Sequence, residues 1–281
     1  RGFLGFGSIE TIDPNQTGGH VVTMSTYAQN FPFTGMPMQT VKKAVTSPYA
    51  VSACLTDTPG NGCFGGPGAT HPDLGGQWFS NSVQSWEMAP TSLATQIPIH
   101  VRTQGSEESL RDPFTGEVTS KFATAFTYGS HGNVTQTVVD TYTGASTLTA
   151  TQITQNTYSD DVGAWRLGRL TASTITHRRP GYPDVVRTAA FGYAMSGAKT
   201  GLLTLEQAQP GAAANLSSAS AYVLDEYGNR LQSVTCATPA TDCSLSGFVF
   251  KPSSLDAIRR YSRVEYDAQG RFPVATYEPF S

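Results

Sequence analysis

Charge is scarce in this sequence. Lys, Arg, Asp and Glu make up 14% of its 281 residues, where an average globular domain carries about 25%. The 18 basic and 21 acidic side chains leave a net charge of −3. That excludes the electrostatic footprint of a nucleic-acid or anionic-membrane binder. Long apolar runs are missing too. No stretch approaches the roughly 18 consecutive apolar residues of a membrane helix, so no membrane span is expected. Stretches rich in Ala, Glu, Lys and Leu are absent, which argues against a helical bundle. The chain opens at Arg1 with neither Met nor a signal peptide, and an excised or processed piece is expected.

Catalytic signatures are also lacking. The five histidines, His20, His71, His100, His131 and His177, form no HExxH motif and no His-x-His pair. No Gly-x-Ser-x-Gly elbow anchors a nucleophile. Gly5 and Gly7 are followed by no Lys-Ser/Thr and make no phosphate loop. Asp160-Asp161 is read as a turn between strands, with paired carboxylates or a calcium ligand as the sharper alternative. No cofactor and no metal is expected.

The four cysteines form two close pairs, Cys54 with Cys63 and Cys236 with Cys243. Each pair brackets a turn-rich loop. Two local disulfides are the expected reading, each worth ~2–3 kcal/mol in the chain-entropy model. Free buried thiols and a metal site are the alternatives, although neither pair has CxxC spacing. Disulfides would place the protein in an oxidising compartment outside the cytoplasm.

What the sequence has in quantity is β-branched, aromatic and turn-forming residues, with 28 Gly and 17 Pro. Ten segments alternate polar with β-branched or aromatic residues: 19–27, 121–128, 134–142, 147–158, 169–177, 185–193, 221–225, 230–236, 263–266 and 274–277. Such residues are stiff at χ1 and pack well on a pleated surface. Short polar spacers such as Asp112-Pro-Phe-Thr-Gly116 and Tyr227-Gly-Asn229 separate them. Single helical turns are expected at Ser106–Arg111 and after Ser253. Residues 58–76 read as a surface loop and 210–220 as a second excursion. The fold class is all-β, a curled antiparallel sheet of stacked hairpins with very little helix. The whole chain, 1–281, reads as one region, with a loop-rich insertion at 54–104.

A degenerate unit recurs in the second half: an aromatic or apolar residue, then Gly four residues later, often followed by Asn or Arg. It is found at Tyr128…Gly132-Asn133, Tyr193…Gly197, Leu224-Asp225…Gly228-Asn229 and Tyr266-Asp267…Gly270-Arg271. Tyr158…Gly163 fits with one inserted residue. The unit reads as a hairpin. The aromatic ends one strand, Asp bonds the turn backbone, and Gly takes the positive-φ position. One such hairpin is barely stable alone, so the units must share a core.

These Tyr-Asp-x-x-Gly units resemble the YD repeats of the RHS repeat family. The segment Arg1-Gly-Phe-Leu-Gly-Phe-Gly-Ser-Ile-Glu-Thr-Ile-Asp13 looks like the segment that precedes the repeats in bacterial members. Tyr27-Ala-Gln-Asn-Phe-Pro-Phe-Thr-Gly35 and Trp165-Arg-Leu-Gly-Arg-Leu-Thr171 are also similar to that family. The likeness covers most of the chain except 42–104. It implies a secreted or cell-surface bacterial protein whose repeats wind into a β-sheet shell around a toxin or effector cargo. Its partners would be the neighbouring repeats of a parent chain. Asp112-Pro-Phe-Thr-Gly116 is read as an ordinary turn, so neither self-cleavage nor toxicity is expected of these residues. The alternative is an extracellular carbohydrate- or protein-binding β module, with Trp78, Trp86 and His177 as ligand contacts for a surface glycan. A hydrolase on a β scaffold is the second alternative.

Overall fold

The computed structural model describes residues 5–13, 20–45, 78–89, 100–213, 216–236 and 259–278. They form fifteen antiparallel strands and, among the described residues, no helix. The strands are β1 (Ser8–Asp13), β2 (His20–Tyr27), β3 (Pro37–Val45), β4 (Trp78–Met88), β5 (Val101–Arg111), β6 (Val118–Tyr128), β7 (Val134–Thr143), β8 (Thr147–Asp161), β9 (Arg166–Arg178), β10 (Val185–Tyr193), β11 (Leu203–Ala208), β12 (Ser218–Leu224), β13 (Arg230–Cys236), β14 (Arg259–Tyr266) and β15 (Pro273–Tyr277). Each strand pairs with its neighbours in sequence, in the order β1 to β15 of one sheet. The all-β, stacked-hairpin expectation is met.

The chain divides into two compact units. The first comprises Arg1–Thr127, Val138–Thr151 and Arg179–Tyr182; the second comprises Tyr128–Thr137, Gln152–Arg178 and Pro183–Ser281. In the first unit, side chains alternate between faces as strand geometry requires. Met24 faces Val41, which faces Asn81. On the opposite face, Ser25, Thr40 and Ser82 line up, with the Ser25 and Thr40 hydroxyls 3.1 Å apart.

The second unit holds the best-formed core. Leu205, Ala221, Val234 and Tyr261 form one cross-strand row from β11 to β14. Ala219 and Cys236 add a second row on the same face. Val234 and Cys236 are fully buried. The other face is polar: Ser220 and Thr235 hydroxyls lie 2.9 Å apart, and Ser233 and Ser262 hydroxyls 2.6 Å apart. Small and β-branched residues on one face and hydroxyls on the other fix the register, because a one-residue slip would exchange the faces.

The structure departs from the sequence reading in four places. Ser106–Arg111, expected as a helical turn, is the end of β5, paired with β4 and β6. The segment 54–104, expected as a loop-rich insertion, contributes β4 and the first residues of β5. Residues 218–220 of the expected excursion belong to β12. Tyr158 lies inside β8 rather than at its end, and the next turn begins at Asp161. The loop at 58–76 and the helical turn after Ser253 lie outside the described residues.

Candidate functional site

Six hairpin turns share one closing device. The residue after the first strand donates its N–H to the carbonyl of a residue just before the second strand. Its own carbonyl accepts the N–H of a glycine at positive φ. The residue sets are Ala28/Met36/Gly35, Asp112/Glu117/Gly116, Gly129/Asn133/Gly132, Ala194/Leu202/Gly201, Asp225/Asn229/Gly228 and Asp267/Phe272/Gly270. The six glycines have φ between 64° and 91°, a region costly for any residue with a Cβ. In most of these hairpins the pairing slips by one residue beside the turn, at Tyr27, Arg111, Tyr193, Leu224 and Tyr266. The bulge turns the strand end and increases local twist.

Aspartate tightens three of these turns. Asp225 Oδ1 accepts the N–H of Tyr227 (2.9 Å) and of Asn229 (2.8 Å). Asp267 Oδ1 accepts the N–H of Arg271 at 2.7 Å. Asp112 does the same with Phe114 and Thr115. The turn at Asp112 therefore has the geometry of the repeat turns, with Arg111 in the aromatic's place. Burial pushes the Asp225 carboxyl up, but bonds from the Asn229 side chain and the Asn229 and Tyr227 amides outweigh it and lower the net value.

The remaining repeat residues fall as follows. Tyr193 ends β10; its hydroxyl donates to Leu170 O at 2.8 Å, with Arg169 over its ring. Burial raises its pKa. Gly197 has φ 74°, but Gly201 makes the closing bond, so the glycine expected from sequence is not the structural equivalent. Gly163 has no positive φ; Trp165 takes it instead, at 53°. The Tyr158 unit is thus a different turn, held by Asp161 on the Ala164 N–H and the Arg166 guanidinium.

In the second unit, successive turns on the same end of the sheet are locked together at glycines. A Cβ on Gly168 would lie 2.7 Å from Asn133 Oδ1. On Gly201 it would lie 3.1 Å from Arg166 Cδ, and on Gly228 3.0 Å from Leu202 Cδ1. On Gly270 it would lie 2.2 Å from the Tyr227 ring. Asn229 Nδ2 also donates to Gly270 O at 2.7 Å. In every case the intruding side chain sits in the earlier turn or at the start of the strand leaving it, and the glycine belongs to the next hairpin. Lys199 Nζ donates to Leu224 O in the same direction. The first step of the row adds a side-chain contact: His131 Nδ1 lies 3.0 Å from Asp160 Oδ2, while Asp160 Oδ1 accepts the Gly168 N–H at 2.7 Å. The sequence showed these glycines but not this row, which depends on strand register.

Trp78 and Trp86 stand eight residues apart on β4 in the first unit, and His177 belongs to β9 in the second. Arg111 lies over the Trp78 ring, 3.8 Å from its centroid. Trp86 Nε1 donates to Pro37 O at 2.7 Å. His177 is exposed near the end of β9, opposite Val185. Cys236 is disulfide-bonded; Cys54, Cys63 and Cys243 lie outside the described residues. Among the described residues no group of three His, Cys, Asp or Glu could hold a metal, and no helix is long and apolar enough to cross a membrane.

No protein-family model matches the chain, and no curated protein does. Eleven chains of known structure are similar. One is a porin-like protein from Bacteroides uniformis ATCC 8492, at 9% identity over 82% of this chain and 88% of that one, with a TM-score of 0.17. That score is too low to relate the two folds.

Proposed function

We propose that this chain is a non-catalytic structural segment of a secreted or surface YD-repeat protein of the RHS type. In this reading it forms part of a β-sheet shell that encapsulates or presents a toxin or effector cargo. The observation that carries the proposal is the row of glycine-locked turns. It is a device for adding hairpins side by side, and the Tyr-Asp-x-x-Gly units lie within it. The disulfide at Cys236 supports an extracytoplasmic location. The test is the size of the polypeptide in its native source, by blot under reducing and non-reducing conditions with intact mass. A parent band far above 29.9 kDa is expected. A native product of about that mass would overturn the shell reading.

A second reading, a carbohydrate- or protein-binding module, is favoured by one residue. Trp165 stands 78% exposed at the β8–β9 turn with its backbone in the left-handed region. An indole face held out in this way suits stacking on a sugar ring. Glycan binding lost in Trp165→Ala, with the fold unchanged, would support it.

A further inference from the structure

At one end of the second unit the turns present apolar tips. Strands β8, β10, β12 and β14 run the same way, so the turns that follow them share that end. The β8–β9 turn carries Val162 and Trp165, the β10–β11 turn Met195, the β12–β13 turn Tyr227 and the β14–β15 turn Phe272. These five side chains are 58% to 85% exposed. Large apolar groups gathered at a surface mark a contact site. We infer that this rim docks on a lipid surface, with the five side chains entering it at the level of the headgroups.

The spacing favours a fluid partner. Successive tips stand two strands apart, about 10 Å, on four separate turns. Lipid closes around separate points, whereas a protein partner must match a continuous face. The four turns are tied to one another, because Arg166 packs on Gly201, Leu202 on Gly228 and the Tyr227 ring on Gly270. The charges agree with this reading. Asp161, Asp225 and Asp267 turn their carboxylates back onto the Ala164, Tyr227 and Arg271 amides of their own turns. The β10–β11 turn, 194–202, contains no acid. Glu226 is exposed, and so is Arg271, which leaves the rim without a strong charge of either sign. Its attraction is therefore to the apolar layer of a bilayer and not to anionic headgroups. Trp and Tyr are the side chains that settle where headgroups meet hydrocarbon.

The probe is a vesicle of pure phosphatidylcholine, which carries no glycan and so separates lipid from sugar at Trp165. The full chain is mixed with vesicles and floated on a density gradient. It is expected to float at about 1 mM lipid, with no loss at high salt. Met195→Ser and Trp165→Asn should each weaken binding about tenfold. Asparagine suits the left-handed backbone at 165, so circular dichroism should not change. Leu216→Ser alters a comparably exposed residue beside the β11–β12 turn, at the opposite end of the unit, and should leave flotation as it was. Lipids brominated near the headgroup should quench tryptophan emission in the unsubstituted chain more than in Trp165→Asn. No flotation at about 5 mM lipid, full binding by either rim variant, or an equal loss in Leu216→Ser would overturn the inference. A dimer that the rim variants dissolve, with no flotation, would assign the rim to a second copy and overturn it likewise. None of these results bears on the native size of the polypeptide, so the shell reading stands or falls apart from them.

Discussion

Hydrogen bonds from the Thr115 and Phe114 amides hold the Asp112 carboxyl below its ordinary value of 3.8. The Gly168 amide does the same for Asp160, and the Arg166 guanidinium for Asp161. A carboxyl lowered in the folded state adds stability above its unfolded value, and that stability is lost as pH falls through the folded value. The unfolding midpoint in urea should therefore be flat from about pH 7 to pH 5 and fall below about pH 4. In Asp112→Asn the side-chain oxygen still accepts both amides, but the charge is gone. That variant should show a shallower acid fall. An unchanged acid limb would assign the loss to other carboxylates. Asp267→Ala removes the acceptor for the Arg271 amide and should cost about 1 kcal/mol in the same measurement.

Glycine substitutions separate the two demands made on a hairpin turn. Gly197 has positive φ and open space around it, so Gly197→Ala should cost only the backbone term, about 1–2 kcal/mol. Gly270→Ala meets the same backbone penalty and also drives a Cβ into Tyr227. It should cost clearly more, and Tyr227→Ala should recover part of the excess. A double-mutant cycle by thermal unfolding measures that coupling; strict additivity would mean the two turns do not lock. All ten strands expected from alternation are present within the observed bounds or close to them. Five further strands, β1, β3, β4, β5 and β11, are not among those expected, and two of them show why. Ser106-Glu107-Glu108 in β5 carries a cap and acids that favour a helix start, yet two-sided pairing with β4 and β6 prevails. Leu203-Thr-Leu-Glu-Gln-Ala208 in β11 is short and rich in helix formers. The repeat turns were legible because Asp and Gly have local jobs. The row that joins them was not, because Asn133 meets Gly168 only once two strands are in register.

At the scale of the molecule, the two side chains that are fully buried among the described residues, Val234 and Cys236, both sit in the core cluster of the second unit. Val234→Ala leaves a cavity where four strands meet and should cost about 2–3 kcal/mol, read from urea unfolding. Cys236 is fully buried and disulfide-bonded. Cys236→Ser should lower stability by about 2–4 kcal/mol, and dithiothreitol should lower the melting temperature of the unsubstituted chain more than that of the variant. A melt that ignores the reductant would count against an extracytoplasmic protein. The one-way sense of the turn row also bears on biosynthesis. The side chain that fills each glycine comes from a hairpin already synthesised, so every new hairpin leaving the ribosome meets a finished seat. At these glycines no side chain made later is needed, and the turn row can grow at the pace of translation. Shortening the gene from its 3′ end should thus leave the earlier hairpins of the second unit folded. Shortening it from the 5′ side should release them in turn.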